Sequence, residues 1–348
     1  MSDSVIGSNL QGLLHSTLGT DTTQELFALL EIPASTLHPA SASVTRLELA
    51  QALNMALFHQ LLQQVPSGRA YVADATASGI KICFDHGAVR TVLRQQANGF
   101  PNGEALFTRL LLPLGYQLNG LYPLPRIHMT GRVYTHIDDP ENIAQFFVSE
   151  LHPEQFSAPF QAVVDSVLAS SVDLLTPAMQ TLLTQLATDG QLPHEQAQQL
   201  LPAMLSCFAR HHALPSLTQY QQLLAESAEM AWIATEGSVF NHATDRVADV
   251  EATAARQRQL GRPIKELVEV SRNGRVRQTA FRADKVSYLL KDSNGKRVEI
   301  AVPGSFYEFI SRDRYIDASG VSKLDLSFDS GNAQGIFKMT AASDVSAC

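Results

Sequence analysis

Between Thr22 and Gln64 the apolar positions recur at three- and four-residue spacing, and that period predicts helix. Asp21 stands where a cap would precede 22-TTQELFALLEI-32, and Ser43 or Thr45 starts a longer run through Gln64 that stops before Pro66-Ser67-Gly68. Beyond residue 68 the pattern changes. The segments 79-GIKICFDH-86, 131-GRVYTHI-137 and 145-QFFVSEL-151 read as strands around a helix near 103–112. From Phe156 to Glu236 the helical period returns, and breaks at Thr176-Pro177, Asp189-Gly190 and Leu192-Pro193 divide it into about four helices. The remainder reads as a strand in 238-SVFNHATDRV-247, a helix in 248-ADVEATAARQRQLG-261, a hairpin in 264-IKELVEVSRNGRVRQTAF-281 and an apolar strand in 305-SFYEFISRDRY-315.

This pattern predicts an α+β protein in four parts: an N-terminal helical segment (1–68), a first α/β module (69–155), a helical insertion (156–236), and a second α/β module with a C-terminal tail (237–348). The two modules share their element order, and the parts are expected to form one integrated domain.

The modules also share a motif. The stretch 84-FDHGAVR-90 returns as 240-FNHATDR-246, a Phe-Asp/Asn-His-x3-Arg pattern at the opening strand of each unit. Residues two apart on a strand share a face, so Phe84, His86 and Arg90 are expected to point one way, as are Phe240, His242 and Arg246. Two such units packed as pseudo-twofold mates would turn His86 and His242 toward one site. Most of the eleven histidines have no comparable support. His128 and His136 stand alone, and His211-His212, on an expected helix, would diverge at the surface.

A third group lies in 305-SFYEFISRDRY-315, where Glu308 sits between Tyr307 and Phe309 on the face of Phe306 and Ile310. A carboxylate buried there alone would cost several kcal/mol or take up a proton, and a divalent cation removes that cost. The alternative is an edge strand with Glu308 solvated or paired to Arg312 or Arg314. Two neutral imidazoles and one carboxylate make the facial triad suited to non-haem Fe(II), with positions left for a 2-oxo acid and O2. Arg90 would offer a planar guanidinium to a substrate carboxylate, or else serve a structural salt bridge.

Composition narrows the classes. The 348 residues are 45% apolar and 17% charged, as in an ordinary globular protein. The net charge is −8 with scattered basic residues, which argues against nucleic acid, and 272-RNGRVR-277 reads as a hairpin tip. Apolar runs such as 105-ALFTRLLLPLG-115 fall short of the ~18 residues that cross a bilayer, and the amino terminus lacks the pattern of a secretory signal. No membrane partner is expected. The three cysteines, Cys83, Cys207 and Cys348, have no Cys-x-x-Cys spacing, which points to a reducing cytoplasm and no cysteine zinc site. No glycine-rich phosphate loop or Ser-His-Asp pattern competes.

The set Asp85-His86-x3-Arg90, Thr235-Glu236-Gly237-x2-Phe240-Asn241-His242-x-Thr244-x-Arg246-Val247 and Phe306-Tyr307-Glu308-Phe309 resembles the 2-oxoadipate dioxygenase/decarboxylase family, in order and over most of the chain. The resemblance implies a vicinal oxygen chelate-like fold of paired βαβββ modules around a metal, enlarged by helices. It implies that His86, His242 and Glu308 match the family's iron ligands and Arg90 its substrate-contacting arginine. The implied reaction converts 2-oxoadipate and O2 to 2-hydroxyglutarate and CO2 in lysine breakdown, with chemistry related to that of the hydroxymandelate and hydroxyphenylpyruvate enzymes. Longer members continue past the position of Cys348, so the chemistry is implied more firmly than the particular 2-oxo acid. Two other readings stay open at this point: a lyase, isomerase or hydrolase holding zinc, nickel or manganese on the same ligands, and a non-catalytic metal-binding or interaction protein.

Overall fold

A computed structural model describes residues 7–329 and residue 331. The chain opens with α1 (Asn9–Leu18) and α2 (Thr20–Leu29), then the short β1 (Ser43–Thr45), α3 (Arg46–Gln64) and α4 (Pro66–Ala77). Thr45 caps α3 through a reciprocal pair of bonds with Glu48, an arrangement worth about 1 kcal/mol. α3 ends at Gln64, as the Pro66-Ser67-Gly68 stop predicts, but a further helix not expected from the sequence begins there. Pro66 closes α3 but occupies the first turn of α4, where its missing N–H costs nothing.

The first module follows as β2 (Phe84–Val92), α5 (Ala105–Leu111), β3 (Tyr116–Leu124), β4 (Met129–His136) and β5 (Gln145–Leu151). Its opening strand starts later than the expected 79–86 and runs on to Val92. The insertion holds five described helices rather than four: α6 (Ala158–Leu168), α7 (Pro177–Asp189), then after β6 (Gln191–Pro193) α8 (His194–Ser206), α9 (Leu217–Glu226) and α10 (Ala228–Glu236). The second module is β7 (His242–Arg246), α11 (Val250–Gln259), β8 (Glu269–Val270), β9 (Val276–Ala280), the added hairpin β10 (Lys285–Lys291) and β11 (Arg297–Pro303), and β12 (Phe306–Arg312), with β13 (Arg314–Ile316) and β14 (Ser322–Leu324) beyond it.

Eight strands make one sheet in the order β3-β4-β5-β2-β7-β12-β9-β8. In each module the opening strand pairs in parallel with the last one, β2 with β5 and β7 with β12, and the hairpin strands continue outward. The two halves are joined by antiparallel pairing of β2 with β7. The expected βαβββ pair is therefore present, its two halves meeting at the strands that carry the histidines.

Helices cover both faces of the sheet. Leu13, Leu53 and Phe58 of the N-terminal helices and Leu186, Leu201 and Met204 of α7 and α8 join Val89, Phe146, Tyr307 and Phe309 in one core. On the opposite face Phe160, Leu223, Met230 and Trp232 of α6, α9 and α10 pack with Ala88, Val133 and Phe147, and with Leu290 and Val302 of the added hairpin. The insertion is thus divided between the two layers. Among the described residues no helix is long and apolar enough to cross a membrane. Cys83 and Cys207 are free thiols, and Cys348 lies outside the described residues.

Candidate metal centre

The site grows out of the seam between modules. One cross-strand row runs Gln145, His86, Thr244 and Glu308 over β5, β2, β7 and β12, and the adjoining row runs Phe147, Ala88, His242 and Phe306. Side chains in such rows share a face, so two histidines and a glutamate from three strands come together. His86 Nε2 lies 3.2 Å and His242 Nε2 3.3 Å from Glu308 Oε2. All three residues are buried, Glu308 completely. Their donor atoms lie within 4.8 Å of one another, and they are a group that can hold a metal ion.

Burial works against the charge on Glu308, yet His86 and the Thr244 hydroxyl hold it below the usual carboxylate range. That hydroxyl donates to Oε2 at 2.7 Å, while Oε1 has no hydrogen-bond partner among the described residues. Burial pushes His242 down to about 3, and the neighbouring His86 and Arg90 add to that against the pull of Glu308, so its ring is neutral at ordinary pH, as a ligand must be. Burial also acts to lower His86, but its bonds to Asp85 and Glu308 outweigh it and raise the ring above its ordinary value.

Asp85 fixes that ring. Its Oδ1 accepts from His86 Nδ1 at 2.8 Å, which leaves Nε2 as the ring nitrogen aimed at the site. Asp85 is fully buried, and despite that burial Arg312 and His86 keep it ionised, well below its usual range. Arg312 meets it with Nε and Nη2, both at 2.9 Å, and spends Nη1 on the carbonyls of Asp325 and Ser327. Phe328, from the same segment, packs edge-on against His86 with centroids 4.8 Å apart and lies over the Arg312 guanidinium.

These residues fit a divalent ion. Two donors about 2.1 Å from one ion and at right angles lie about 3 Å apart, close to the separations found here. The orphaned Oε1 of a wholly buried carboxylate is otherwise worth a penalty of ~1–3 kcal/mol or more.

Several expectations change. Glu308 is not on an edge strand, because β12 lies between β7 and β9. Nor do the nearby arginines neutralise it: Arg312 goes to Asp85 and Arg314 to Glu141. Phe306 does share the Glu308 face, packing against the His242 ring. Phe84 and Phe240 do not face the site. A register irregularity between Phe84 and His86 turns Phe84 into the other layer against Phe58, and Phe240 packs against Gly87, where an added Cβ would meet its ring at 2.4 Å. Arg246 turns away too, donating to the Glu141 carbonyl and to Cys83 Sγ. His211-His212 lies past the end of α8 rather than on a helix, with His212 buried.

Arg90 follows His86 by four residues on the same face of β2. It is wholly buried with its guanidinium 4.7 Å from the Trp232 ring, and burial pushes it down to about 10 against the pull of Glu229. A cavity lined by Arg90, Phe100, Leu168, His212 and Ile233 reaches this arginine but none of the three converging side chains. Sequence reasoning gave no separate role to Asp85, Thr244, Gln145 or Phe328. Only Asp85 left a local signal, as the polar residue beside a repeated histidine.

Paired βαβββ modules with two histidines and a glutamate at their seam define a vicinal oxygen chelate protein. The chain belongs to the 2-oxoadipate dioxygenase/decarboxylase family, whose model matches residues 46–340. Among solved structures it is similar to a glyoxalase superfamily protein from Ralstonia eutropha JMP134, at 53% identity over 92% of this chain and 98% of that one, with a TM-score of 0.87. It shares the fold of hydroxyglutarate synthase from Oryza sativa in complex with 2-oxoadipate, at 17% identity over 90% and 95% of the two chains and a TM-score of 0.67. The same holds for hydroxyglutarate synthase from Pseudomonas putida, also with 2-oxoadipate, at 21% identity over 86% and 74% and a TM-score of 0.62. No curated protein matches the chain.

Proposed function

We propose that His86, His242 and Glu308 bind one Fe(II) and that the protein converts 2-oxoadipate and O2 to 2-hydroxyglutarate and CO2. The observation that carries this reading is a fully buried carboxylate set against two imidazole nitrogens at a module seam, in a chain of this family. The two hydroxyglutarate synthases that share the fold were solved with 2-oxoadipate, which supports a 2-oxo acid as the ligand class. When bound, Fe(II) would supply open positions for an oxo acid and O2 and the electrons for oxidative decarboxylation.

The chain's own residues then divide the remaining work. Asp85 keeps the His86 proton on Nδ1, and Arg312 keeps Asp85 charged and oriented. Thr244 holds one oxygen of Glu308 and so sets the turn of the carboxylate. Arg90, on the same face of β2, receives the distal carboxylate of the substrate, its guanidinium backed by Trp232. Phe328, Phe147 and Phe306 keep water from the reacting end. Free thiols at Cys83 and Cys207 suit a cytoplasmic enzyme of lysine breakdown.

The test is anaerobic reconstitution with Fe(II) followed by O2 uptake against a panel of 2-oxo acids. The expected result is saturable uptake that favours 2-oxoadipate and yields 2-hydroxyglutarate and CO2 in equal amounts. Turnover that needs no O2 and runs with zinc or manganese overturns the dioxygenase reading.

A further inference from the structure

Gln145 begins β5 and stands beside His86 in the row that carries Thr244 and Glu308. Its face is set by its neighbours: Phe146 packs in the core under the N-terminal helices, whereas Phe147 packs on the site side against Phe328. Gln145 therefore shares the site side with Phe147 and His86. It is 1% exposed, and neither Oε1 nor Nε2 of its amide has a hydrogen-bond partner among the described residues.

A buried amide with both ends unmet weakens the fold, and a Met of similar length would fill the space without that penalty. Such a group needs a partner that arrives from outside. Its position flanks His86 on the side away from Thr244, with Arg90 two residue pairs further along β2. A neutral amide is suited to this place because it donates hydrogen bonds without altering the charge of a two-histidine, one-carboxylate centre.

We infer that Gln145 is a substrate-positioning residue whose Nε2 donates to an oxygen of the 2-oxo acid at its metal-bound end. Arg90 then holds one end of the substrate and Gln145 the other, so the pair measures the length between two oxygen-bearing groups. The inference rests on the proposed metal and oxo-acid reading, and it adds the group that orients the reacting end.

The test uses full-length protein loaded with Mn(II) under argon. Oxalate is the probe, because it offers the paired oxygens of a 2-oxo acid end without depending on which acid is physiological. Calorimetric titration compares wild type with Gln145→Met and Gln145→Glu. The Met variant is expected to keep its metal, bind oxalate about tenfold more weakly, and melt a few degrees higher in the metal-free state, because the unmet amide is gone. The Glu variant, which sets like charge against the ligand, is expected to lose about a hundredfold. A purely structural glutamine would instead lower the melting temperature on replacement and leave oxalate affinity alone. Oxalate affinity equal to wild type in the Met variant overturns the inference, whether the amide's partner is then water or nothing. If Gln145→Met weakens oxalate while wild type with Fe(II) consumes no O2 with 2-oxoadipate, the proposed reaction fails and the role of Gln145 stands. If wild type turns over and the variant binds oxalate normally, the role of Gln145 fails alone.

Discussion

Arg312 and Asp85 meet in a buried ion pair, 2.9 Å from Nη2 to Oδ1, although Asp85 lies on β2 of the first module and Arg312 on β12 of the second. Asp85 passes the effect on by accepting the Nδ1 proton of His86. Asp85→Asn keeps an acceptor but removes the charge, leaving the Arg312 guanidinium buried without its counter-ion. Metal affinity should fall by about 10–100-fold, as for other groups that orient a metal-binding histidine. Competition titration with a chromogenic chelator reads this directly, and wild-type affinity would remove Asp85 from the centre.

Glu308→Gln keeps an oxygen that can accept from Thr244 and loses the charge that holds a cation. For wild type, metal at about 100 times its Kd should stabilise the fold by about 2.7 kcal/mol. The variant should gain almost none of this in thermal melts with and without metal. A full metal-dependent shift in Glu308→Gln would place the ion elsewhere.

Arg90→Lys preserves the charge over Trp232 but gives up the planar pair of donors. The expected loss in kcat/KM with 2-oxoadipate is about 100-fold, while bound metal stays equal to wild type. O2 uptake is expected to outrun product formation. Parent-like turnover would make Arg90 a structural residue.

Asp245 sets a pH dependence of stability. Burial pushes this carboxyl up to about 7, with the Tyr71 hydroxyl and the Cys83 amide opposing the shift from 2.7 and 3.0 Å. An unfolded aspartate titrates near 3.9, so between about pH 4 and pH 7 the folded state binds the extra proton and stability falls as pH rises. Asp245→Asn mimics the protonated form. Its denaturation midpoint should exceed that of wild type at pH 8 and match it near pH 4. Parallel pH profiles for the two proteins would rule out an elevated Asp245.

The histidine pair was legible because one motif occurs twice at equivalent strands, and Glu308 because a carboxylate between Tyr307 and Phe309 is expensive to bury alone. What alternation could not reveal was the irregularity at Phe84 and His86. It breaks the two-residue period at Phe84 and turns that ring to the other layer, while Phe240 precedes β7 and so lies outside the alternation that places His242. Arg312 was read as a neighbour of Glu308 by proximity in the chain, whereas its partner Asp85 becomes visible only once β12 and β2 lie on either side of β7. Gln145 gave no signal, since a single polar residue at the head of an apolar strand reads as its boundary.

The antiparallel pairing of β2 with β7 also bears on how the chain emerges from the ribosome. β5 is made soon after β2 and can cover one side of it, but β7 follows only about 150 residues later, roughly 8–30 s at ordinary translation rates. During that interval the β2 edge that bears His86 exposes unpaired backbone amides and carbonyls, the feature that invites pairing with another nascent chain. Much of the intervening sequence is the helical insertion, and α9 and α10, which pack on the same side of the sheet as Ala88, are synthesised just before β7. The insertion thus supplies cover for the apolar face beside that open edge before β7 closes it, and a chain with α9 and α10 replaced by a flexible linker should aggregate during synthesis.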